Sequence, residues 1–287
     1  MKSFFILSLL FFTTYLSGQV TFRIDTVNAI KSEFVDDRPL YILVPQYAIK
    51  KPLKVIYMHD GQMLFDSTST WNQQEWCVDE SMNVKVNKQG MEPYLIVGIP
   101  NNGVKRKSEY FPEKVFRALG DSLKTVLLND EWQGDSRSDE YLKYLVFEVI
   151  PYIESHYLVS KRARDRYLCG ASSGGNATLY AFCEYPEVFP NAICFSTHWP
   201  GSLKHMNPEI PELWLAYLST KLPSSKRRSL YMDRGTEGLD SLYGPWQEMA
   251  DLLIRQKGYK KHFTSLVFTG HDHSERSWKE RFSAWLR

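Results

Sequence analysis

Ser172 sits in the run Arg166-Tyr-Leu-Cys-Gly-Ala-Ser-Ser-Gly-Gly-Asn-Ala-Thr-Leu-Tyr180, where an apolar, strand-like stretch meets Gly170-Ala171-Ser172-Ser173-Gly174 and then a helix-forming stretch. A serine spaced in this way between two glycines, on a turn from strand to helix, has the form of a nucleophile elbow. The spacing has a steric origin. A nucleophile on so sharp a turn occupies strained backbone, and its neighbours must approach the adjoining strand and helix closely, which Gly170 and Gly174 allow. The helix that follows turns its N-terminus toward the reacting centre and favours negative charge there. The bare pattern also arises by chance, so its weight comes from the apolar flanks, Tyr167 and Leu168 before it and Ala177, Leu179 and Ala181 after it.

A serine hydroxyl needs a base, and an imidazole base needs a carboxylate to hold its tautomer. After a turn of this kind the acid precedes the histidine in the chain. Two histidines follow the last strand-like stretch, His271 and His273, in Thr269-Gly-His-Asp-His-Ser-Glu-Arg-Ser-Trp278. His273 is preferred because it adjoins Ser274, a suitable cap for a final helix with Trp278, Phe282 and Trp285 on one side. Leu230-Tyr-Met-Asp-Arg-Gly-Thr-Glu-Gly-Leu-Asp240 offers three acids. Asp233 falls inside a strand and is the least reachable. Asp240 is favoured, with Glu237 the alternative. Two backbone N–H groups should hold an oxyanion: that of Ser173 and that of Gln62, in the loop His59-Asp-Gly-Gln-Met-Leu-Phe65. His198 and Trp199, at the end of the sixth strand-like stretch, are expected to face the same edge as substrate contacts.

These groups need a frame. Strand-like segments occur at 20–27, 40–44, 54–59, 94–99, 166–170, 191–195, 229–233 and 262–268. The first two suit an antiparallel pair. From Lys54 onward strands alternate with helical stretches, among them 140–155, with Tyr141, Leu142, Leu145, Val149, Ile150 and Ile153 at helical spacing. Another is 246–256, with Met249, Leu252 and Leu253 apolar and Gly258 closing it. Such alternation predicts an α/β fold: a mostly parallel eight-stranded sheet with helices on both faces and the reacting groups at the carboxyl ends of the strands.

The chain has 287 residues, 35 Lys and Arg against 33 Asp and Glu, and a net charge of +2. That balance argues against nucleic acid as a partner. Basic clusters such as 161–166 and 226–228 read as solvated loop charge. No linker or repeat divides the chain, so a single domain is expected over 19–287. Residues 1–18 have a short basic start, an apolar stretch at 4–12 and small residues near Gly18, the pattern of a secretory signal peptide. The protein is therefore expected to be secreted or periplasmic, without stable membrane insertion after cleavage. Cys77, Cys169, Cys183 and Cys194 lack metal-ligand spacing. Export permits disulfides, whose pairing the sequence does not give, but Cys169 and Cys194 fall inside expected buried strands and free buried thiols are the expected state.

His59-Asp-Gly-Gln-Met-Leu-Phe65, the segment from Trp71 to Trp76, Arg106 to Pro112 with Glu109-Tyr110, Gly170 to Gly175 and Gly270 to Trp278 occur together and in order. In this combination the chain resembles the putative esterase family of α/β-hydrolases. That family takes in esterase D, feruloyl and acetyl-xylan esterases, enterochelin-type siderophore esterases, S-formylglutathione hydrolases and mycolyltransferases. The resemblance covers nearly all of the chain from about Thr21. It implies a serine carboxylic-ester hydrolase with Ser172 as nucleophile, His273 as base, Asp240 as acid and the Gln62 and Ser173 amides as oxyanion donors. Relatives often carry Met at the position of Ser173, where the donor is backbone. No cofactor is expected. The substrate expected is a small-molecule or polysaccharide ester, either a carbohydrate-linked acetyl or feruloyl ester or a siderophore ester. Two other readings differ in kind: a non-catalytic carbohydrate-binding protein on the same fold, and a metal-dependent hydrolase using His271 and His273 with His59-Asp60.

Overall fold

The computed structural model describes residues 19–46 and 51–286; the expected signal peptide lies outside them. The strands are β1 (Thr21–Ile30), β2 (Arg38–Gln46), β3 (Lys54–His59), β4 (Tyr94–Ile99), β5 (Arg166–Ala171), β6 (Asn191–Phe195), β7 (Ser229–Gly235) and β8 (Phe263–Phe268). They form one sheet in the order β1-β2-β4-β3-β5-β6-β7-β8. β2 runs antiparallel to both β1 and β4, and every other pairing is parallel. The sheet is the one expected, with all eight strands found where the apolar runs lie.

The helices are α1 (Val78–Gln89), α2 (Arg106–Tyr110), α3 (Glu113–Ala118), α4 (Asp121–Asp130), α5 (Ser138–Tyr144), α6 (Ile150–His156), α7 (Ser173–Glu184), α8 (Glu209–Lys221), α9 (Gly244–Gln256) and α10 (Glu275–Trp285). Successive residues of a strand point to opposite faces. Val55 and Tyr57 of β3, with Leu168 of β5 and Ala192 of β6, therefore enter the core covered by α3 to α9. Ile56, Met58, Cys169 and Ile193 enter the core covered by α1 and α10. Burial on both faces is why these strands read as near-continuous apolar runs.

The helical stretch expected at 140–155 is α5 and α6 joined by a π-helical turn, Leu145–Val149. Pro151 has no N–H to give to that turn, which is a sufficient reason for the irregularity. The expected apolar positions along it are all buried. α9 departs from expectation. Met249 and Leu252 are exposed, and the face turned inward carries Gln247, Ala250 and Ile254. Gln247 is buried because its Oε1 accepts from Trp199 Nε1 at 3.1 Å. A polar partner for a buried indole thus set the rotation of the helix. The four cysteines are buried free thiols. Among the described residues no helix is long and apolar enough to cross a membrane.

One buried ion pair ties the sheet to the loop that flanks the site. Arg38 of β2 donates from Nη1 and Nη2 to the two carboxylate oxygens of Glu109 on α2, at 2.8 and 2.6 Å. Both side chains are almost fully buried. Removing one partner leaves the other charge stranded, so Arg38→Ala or Glu109→Ala should each lose about 3–5 kcal/mol of stability. The double replacement Arg38→Met with Glu109→Leu should lose less than either. Urea midpoints of the three variants check this, and single variants within about 1 kcal/mol of the wild type would contradict it.

Candidate active site

β5 ends at Ala171 and α7 begins at Ser173, leaving Ser172 alone on the turn with φ 56° and ψ −126°. Strain of this kind persists only where the surroundings enforce it. Here the Ser172 N–H donates to Phe195 O at 3.0 Å, and the Ser172 carbonyl accepts from the N–H groups of Asn176 (3.2 Å) and His198 (3.3 Å). A Cβ on Gly170 would lie 2.4 Å from Gly174 O and 2.8 Å from His59 Cδ2. No side chain fits there. The glycines expected to permit the close approach do so.

The Ser172 hydroxyl lies 2.9 Å from His273 Nε2, and His273 Nδ1 lies 2.6 Å from Asp240 Oδ1. An ionised carboxylate only accepts, so Nδ1 carries the hydrogen and Nε2 is left to accept from Ser172. His273 stands immediately before Ser274, which caps α10 by accepting from the Ser277 N–H. Its ring is wedged edge-on between Trp278 (4.9 Å between centroids) and Tyr243 (5.6 Å).

Asp240 is fully buried. Burial by itself pushes its carboxyl upward. Hydrogen bonds from His273, Ser196 and the Gly235 N–H outweigh that and hold it at about 2. The Oδ2 atom accepts from Gly235 N and Ser196 Oγ, each at 2.6 Å, and from Arg281 Nη2 at 3.2 Å. Glu237, the alternative acid, is exposed and accepts from the Thr236 hydroxyl at 3.3 Å. Asp233 is buried and bound by Arg281 Nη1 at 3.0 Å. Burial raises its carboxyl to about 6, with Arg281 the chief opposing influence.

Gln62 lies in a short 3-10 turn, Gly61–Met63, entered through Asp60 in the left-handed region. Its side chain accepts from the Asn101 N–H at 3.1 Å. Ser173 opens α7, where the first N–H groups have no carbonyl of a preceding turn to bond. Gln62 and Ser172 line a cleft of about 810 Å³ together with Trp71, Asn72, Gln74, Trp76, Asn101, Arg106, His273, Glu275 and Trp278. Arg106 donates from Nε and Nη2 to Asp60 at 2.7 and 2.8 Å, and Asn101 Nδ2 donates to the same carboxylate at 2.7 Å.

Two expected contacts lie elsewhere. Trp199 is fully buried, 6.3 Å from Trp214 between ring centroids, so it is a core residue and not part of the cleft. His198 is buried, with its Nδ1 2.7 Å from the Tyr243 hydroxyl. The imidazoles of His271, His273 and His59 serve different neighbours: His271 Nε2 is 3.5 Å from Glu280, His273 is engaged with Asp240 and Ser172, and His59 Nδ1 is 2.8 Å from the Tyr141 hydroxyl. Among the described residues, the one group of three possible metal ligands with atoms within 4.8 Å of one another is Glu75, Cys77 and Glu80. None of the three is in the set expected for a metal centre.

Arg281, Ser196 and Tyr243 were not anticipated. Arg281 had a signal in the sequence. It lies three residues after Trp278 and one before Phe282, on the apolar side of α10, where a charge requires a buried partner.

A mostly parallel sheet, helices on both faces and a serine on the turn after the central strand define the α/β-hydrolase fold. The chain belongs to the family described as "Putative esterase", whose sequence model matches residues 32–287. Solved structures share the fold at low identity. The enterobactin esterase FES of Shigella flexneri superimposes with a TM-score of 0.66 at 16% identity, over 92% of this chain and 58% of that one. A ferulic acid esterase gives 0.61 at 16%, over 93% and 97%. An IroE-like serine hydrolase of Shewanella oneidensis gives 0.64 at 18%, over 92% and 78%. Among curated proteins, the uncharacterized protein YjcH of Bacillus subtilis (strain 168) is 24% identical over 114 residues, 39% of each chain. The chain thus spans well under two thirds of the Shigella esterase and of YjcH.

Two buried imidazoles make the native state sensitive to acid. Burial lowers His59 from its ordinary 6.5 to about 4, and lowers His198 to about 3. Below pH 6.5 the unfolded chain binds protons at both positions and the native chain does not. Stability is therefore lost as pH falls from 6.5 toward 4, by up to about 1.4 kcal/mol per pH unit for each histidine. His59→Asn keeps a donor toward Tyr141 without titrating. It should shrink the loss between pH 7 and pH 5, measured by urea unfolding, by about 2 kcal/mol. An unchanged loss in that variant would contradict the assignment.

Proposed function

We propose that the protein is an exported serine ester hydrolase acting on carbohydrate-linked acyl esters. The observation that carries the mechanism is the continuous contact from Asp240 through His273 to Ser172, 2.6 and 2.9 Å, on a strained turn at the edge of an open cleft. Ser172 Oγ attacks the ester carbonyl while His273 Nε2 takes its proton, and Asp240 stabilises the imidazolium that forms. The N–H groups of Gln62 and Ser173 hold the oxyanion of the tetrahedral adduct. The C–O bond to the alcohol breaks, and the alcohol leaves with the proton from His273. Water then attacks the acyl-enzyme by the same path and releases the acid.

The lining of the cleft supports a carbohydrate ester. Its walls carry the amides of Gln62, Asn72, Gln74 and Asn101. Asn72 and Asn101 each spend one N–H, on Glu275 and Asp60 respectively, and planar groups of this kind suit hydroxyl partners. Trp71 stands on them 86% exposed, a free aromatic face for a sugar ring. The charge of Arg106 is matched by Asp60, and Glu275 adds a negative charge. An acidic catecholate ligand would find little net attraction there. The apolar stretch at 4–12 supports export, which suits a polymeric substrate.

Ser172→Ala should lower turnover of p-nitrophenyl acetate by roughly 10⁴-fold or more, and Asp240→Asn by roughly 10³- to 10⁴-fold, with the fold intact by circular dichroism. Glu237→Gln should stay within about twofold of the wild type. Activity surviving in Ser172→Ala, or a larger loss in Glu237→Gln than in Asp240→Asn, would overturn the assignment.

Trp71→Ala should raise KM for acetylated or feruloylated oligosaccharides by about three- to tenfold and leave p-nitrophenyl acetate unaffected, since only the larger alcohol reaches the indole. Equal effects on both, or faster hydrolysis of a catecholate siderophore ester than of any sugar ester, would remove the case for carbohydrate.

A further inference from the structure

Five cationic side chains gather at the amino ends of β5 to β7, the edge of the sheet away from Ser172. These parallel strands lie side by side and begin at Arg166, Asn191 and Ser229. The basic clusters expected to be solvated loop charge precede β5 and β7, so the topology sets them on either side of the start of β6. They converge on one groove of about 930 Å³. Arg162 and Arg164 come to it from the first cluster, and Lys226, Arg227 and Arg228 from the second. Pro186, Pro190 and one carboxylate, Glu187, reach it from the loop before β6.

Hydrogen bonds fix these loops to one another. Asn191 Nδ2 donates to Arg164 O at 3.1 Å and to Arg166 O at 2.9 Å, and Asn191 Oδ1 accepts from Ser229 Oγ at 2.7 Å. One buried amide thus joins the turn before β5 to the first residue of β7. Arg228 secures the second cluster. Its guanidinium donates to the carbonyls of Pro186 (3.3 Å), Ser224 (3.1 Å) and Lys226 (3.3 Å) and pairs with Glu187. The cations are therefore displayed on a frame that is set before any ligand arrives.

Most of this charge is unanswered. Glu187 is taken by Arg228, and Asp165 by Arg162 Nε at 3.0 Å. Among the described residues, no carboxylate oxygen lies within 4.0 Å of a charged nitrogen of Arg164, Lys226 or Arg227, and all three residues are exposed. The whole chain carries a net charge of only +2, so the excess is local. Like charges held together repel, and an anion seated among them removes that repulsion. Guanidinium groups bind carboxylates and oxyanions of similar geometry through paired N–H donors. No aromatic and no large apolar side chain lines the groove. A nucleic-acid base has nothing to stack on there, and nothing would enter the hydrocarbon of a membrane. Cations set around a groove meet a linear polymer on several sides, which a flat lipid surface does not allow.

We propose that this groove is a second binding site, for a linear polysaccharide bearing repeated carboxylate or sulfate groups. Arg164, Lys226 and Arg227 supply the free charge, and Asn191 and Arg228 hold the loops that present it. Ser172 follows the last residue of the six-residue strand β5, so the groove lies about 20 Å along the sheet from the serine. A polymer held there leaves the cleft open. The site would retain the protein on an acidic polysaccharide without occupying its ester-binding end. Retention rests on the export proposed above; the binding itself does not, and it is read without turnover.

Isothermal titration at about 0.15 M salt, where distant charges are screened, tests this with oligogalacturonate, a heparin oligosaccharide and a neutral xylo-oligosaccharide. At least one of the two acidic oligosaccharides should bind, which identifies the anionic group, and the neutral one should not. The triple variant Arg164→Gln, Lys226→Gln, Arg227→Gln should weaken that binding about tenfold, each exposed charge pair contributing about two- to threefold. A control triple, Lys31→Gln, Lys85→Gln, Lys88→Gln, removes the same charge elsewhere and should weaken it by less than about twofold. None of the six side chains is buried, so both variants should keep the wild-type circular dichroism and urea midpoint. Equal weakening in the two triples would reduce the effect to net charge and overturn the proposal. So would failure of both acidic oligosaccharides to bind, or tighter binding of phosphatidylserine vesicles or duplex DNA than of either.

Discussion

A carboxylate with no exposure to water is the constraint on which this site is built. Taking such a charge out of water costs several kcal/mol unless hydrogen bonds replace its hydration. Asp240 is supplied with His273 Nδ1, Ser196 Oγ, Gly235 N and Arg281 Nη2. These donors come from four places: the loop after β8, the end of β6, the end of β7 and the middle of α10. Satisfying one carboxylate therefore fixes the relative positions of three strand ends and a helix. Arg281 extends the network by binding Asp233 as well, and Ser196 accepts from both Arg281 Nη1 and Trp278 Nε1 while donating to Asp240. Gly235 has to be glycine for the same reason, because a Cβ there would lie 2.1 Å from His271 O, in the loop that delivers His273.

The order imposed on Asp240 passes to the serine through a single ring. His273 can align with Ser172 only because Asp240 fixes its tautomer on one side and two aromatic edges fix its plane. One of those edges, Trp278, also stacks near Trp76, which packs edge-on against Phe195 of β6. The carbonyl of Phe195 in turn holds the N–H of Ser172. The wall of the cleft, the imidazole of His273 and the strained turn are thus one packed unit, and a shift in any part would reach the Ser172 hydroxyl.

The sheet was legible because burial on both faces leaves an unmistakable trace. Val-Ile-Tyr-Met in β3 and Leu-Ile-Val in β4 have no polar alternation to confuse them with surface strands. The juxtaposition of Ser172, His273 and Asp240 was legible because the pattern expected of such a group restricts residue type and chain order. What stayed hidden has a common physical character: it depends on polar groups that are buried in pairs. Gln247 turned α9 away from the face that Met249 and Leu252 suggested, because Trp199 needed an acceptor. Trp199 itself, next to His198 in the chain, lies in the core with its indole N–H satisfied by that bond. Arg281 stands on the apolar side of α10, which calls for a buried partner but does not say that Asp233 and Asp240 are the two carboxylates it meets. Apolar periodicity marks which residues avoid water, but carries no record of which buried polar group answers another across the fold.

The site is dry on one side and wet on the other, and under the proposed mechanism the two sides would do different work. Asp240, Arg281, Asp233, Tyr243 and His198 lie in a region without solvent, where a fixed dipole or charge acts at close to full strength. Gln62, Asn101, Arg106 and Trp71 border an open cleft, where individual polar contacts are weak and many are needed. Charge that develops on the imidazole during a reaction would face the dry side and be stabilised by groups that need not reorganise. An alcohol of variable structure would face the wet side, where exchange of water for hydroxyl groups is nearly neutral and tolerates many shapes. Such a division lets the chemistry stay fixed while the cleft is altered residue by residue.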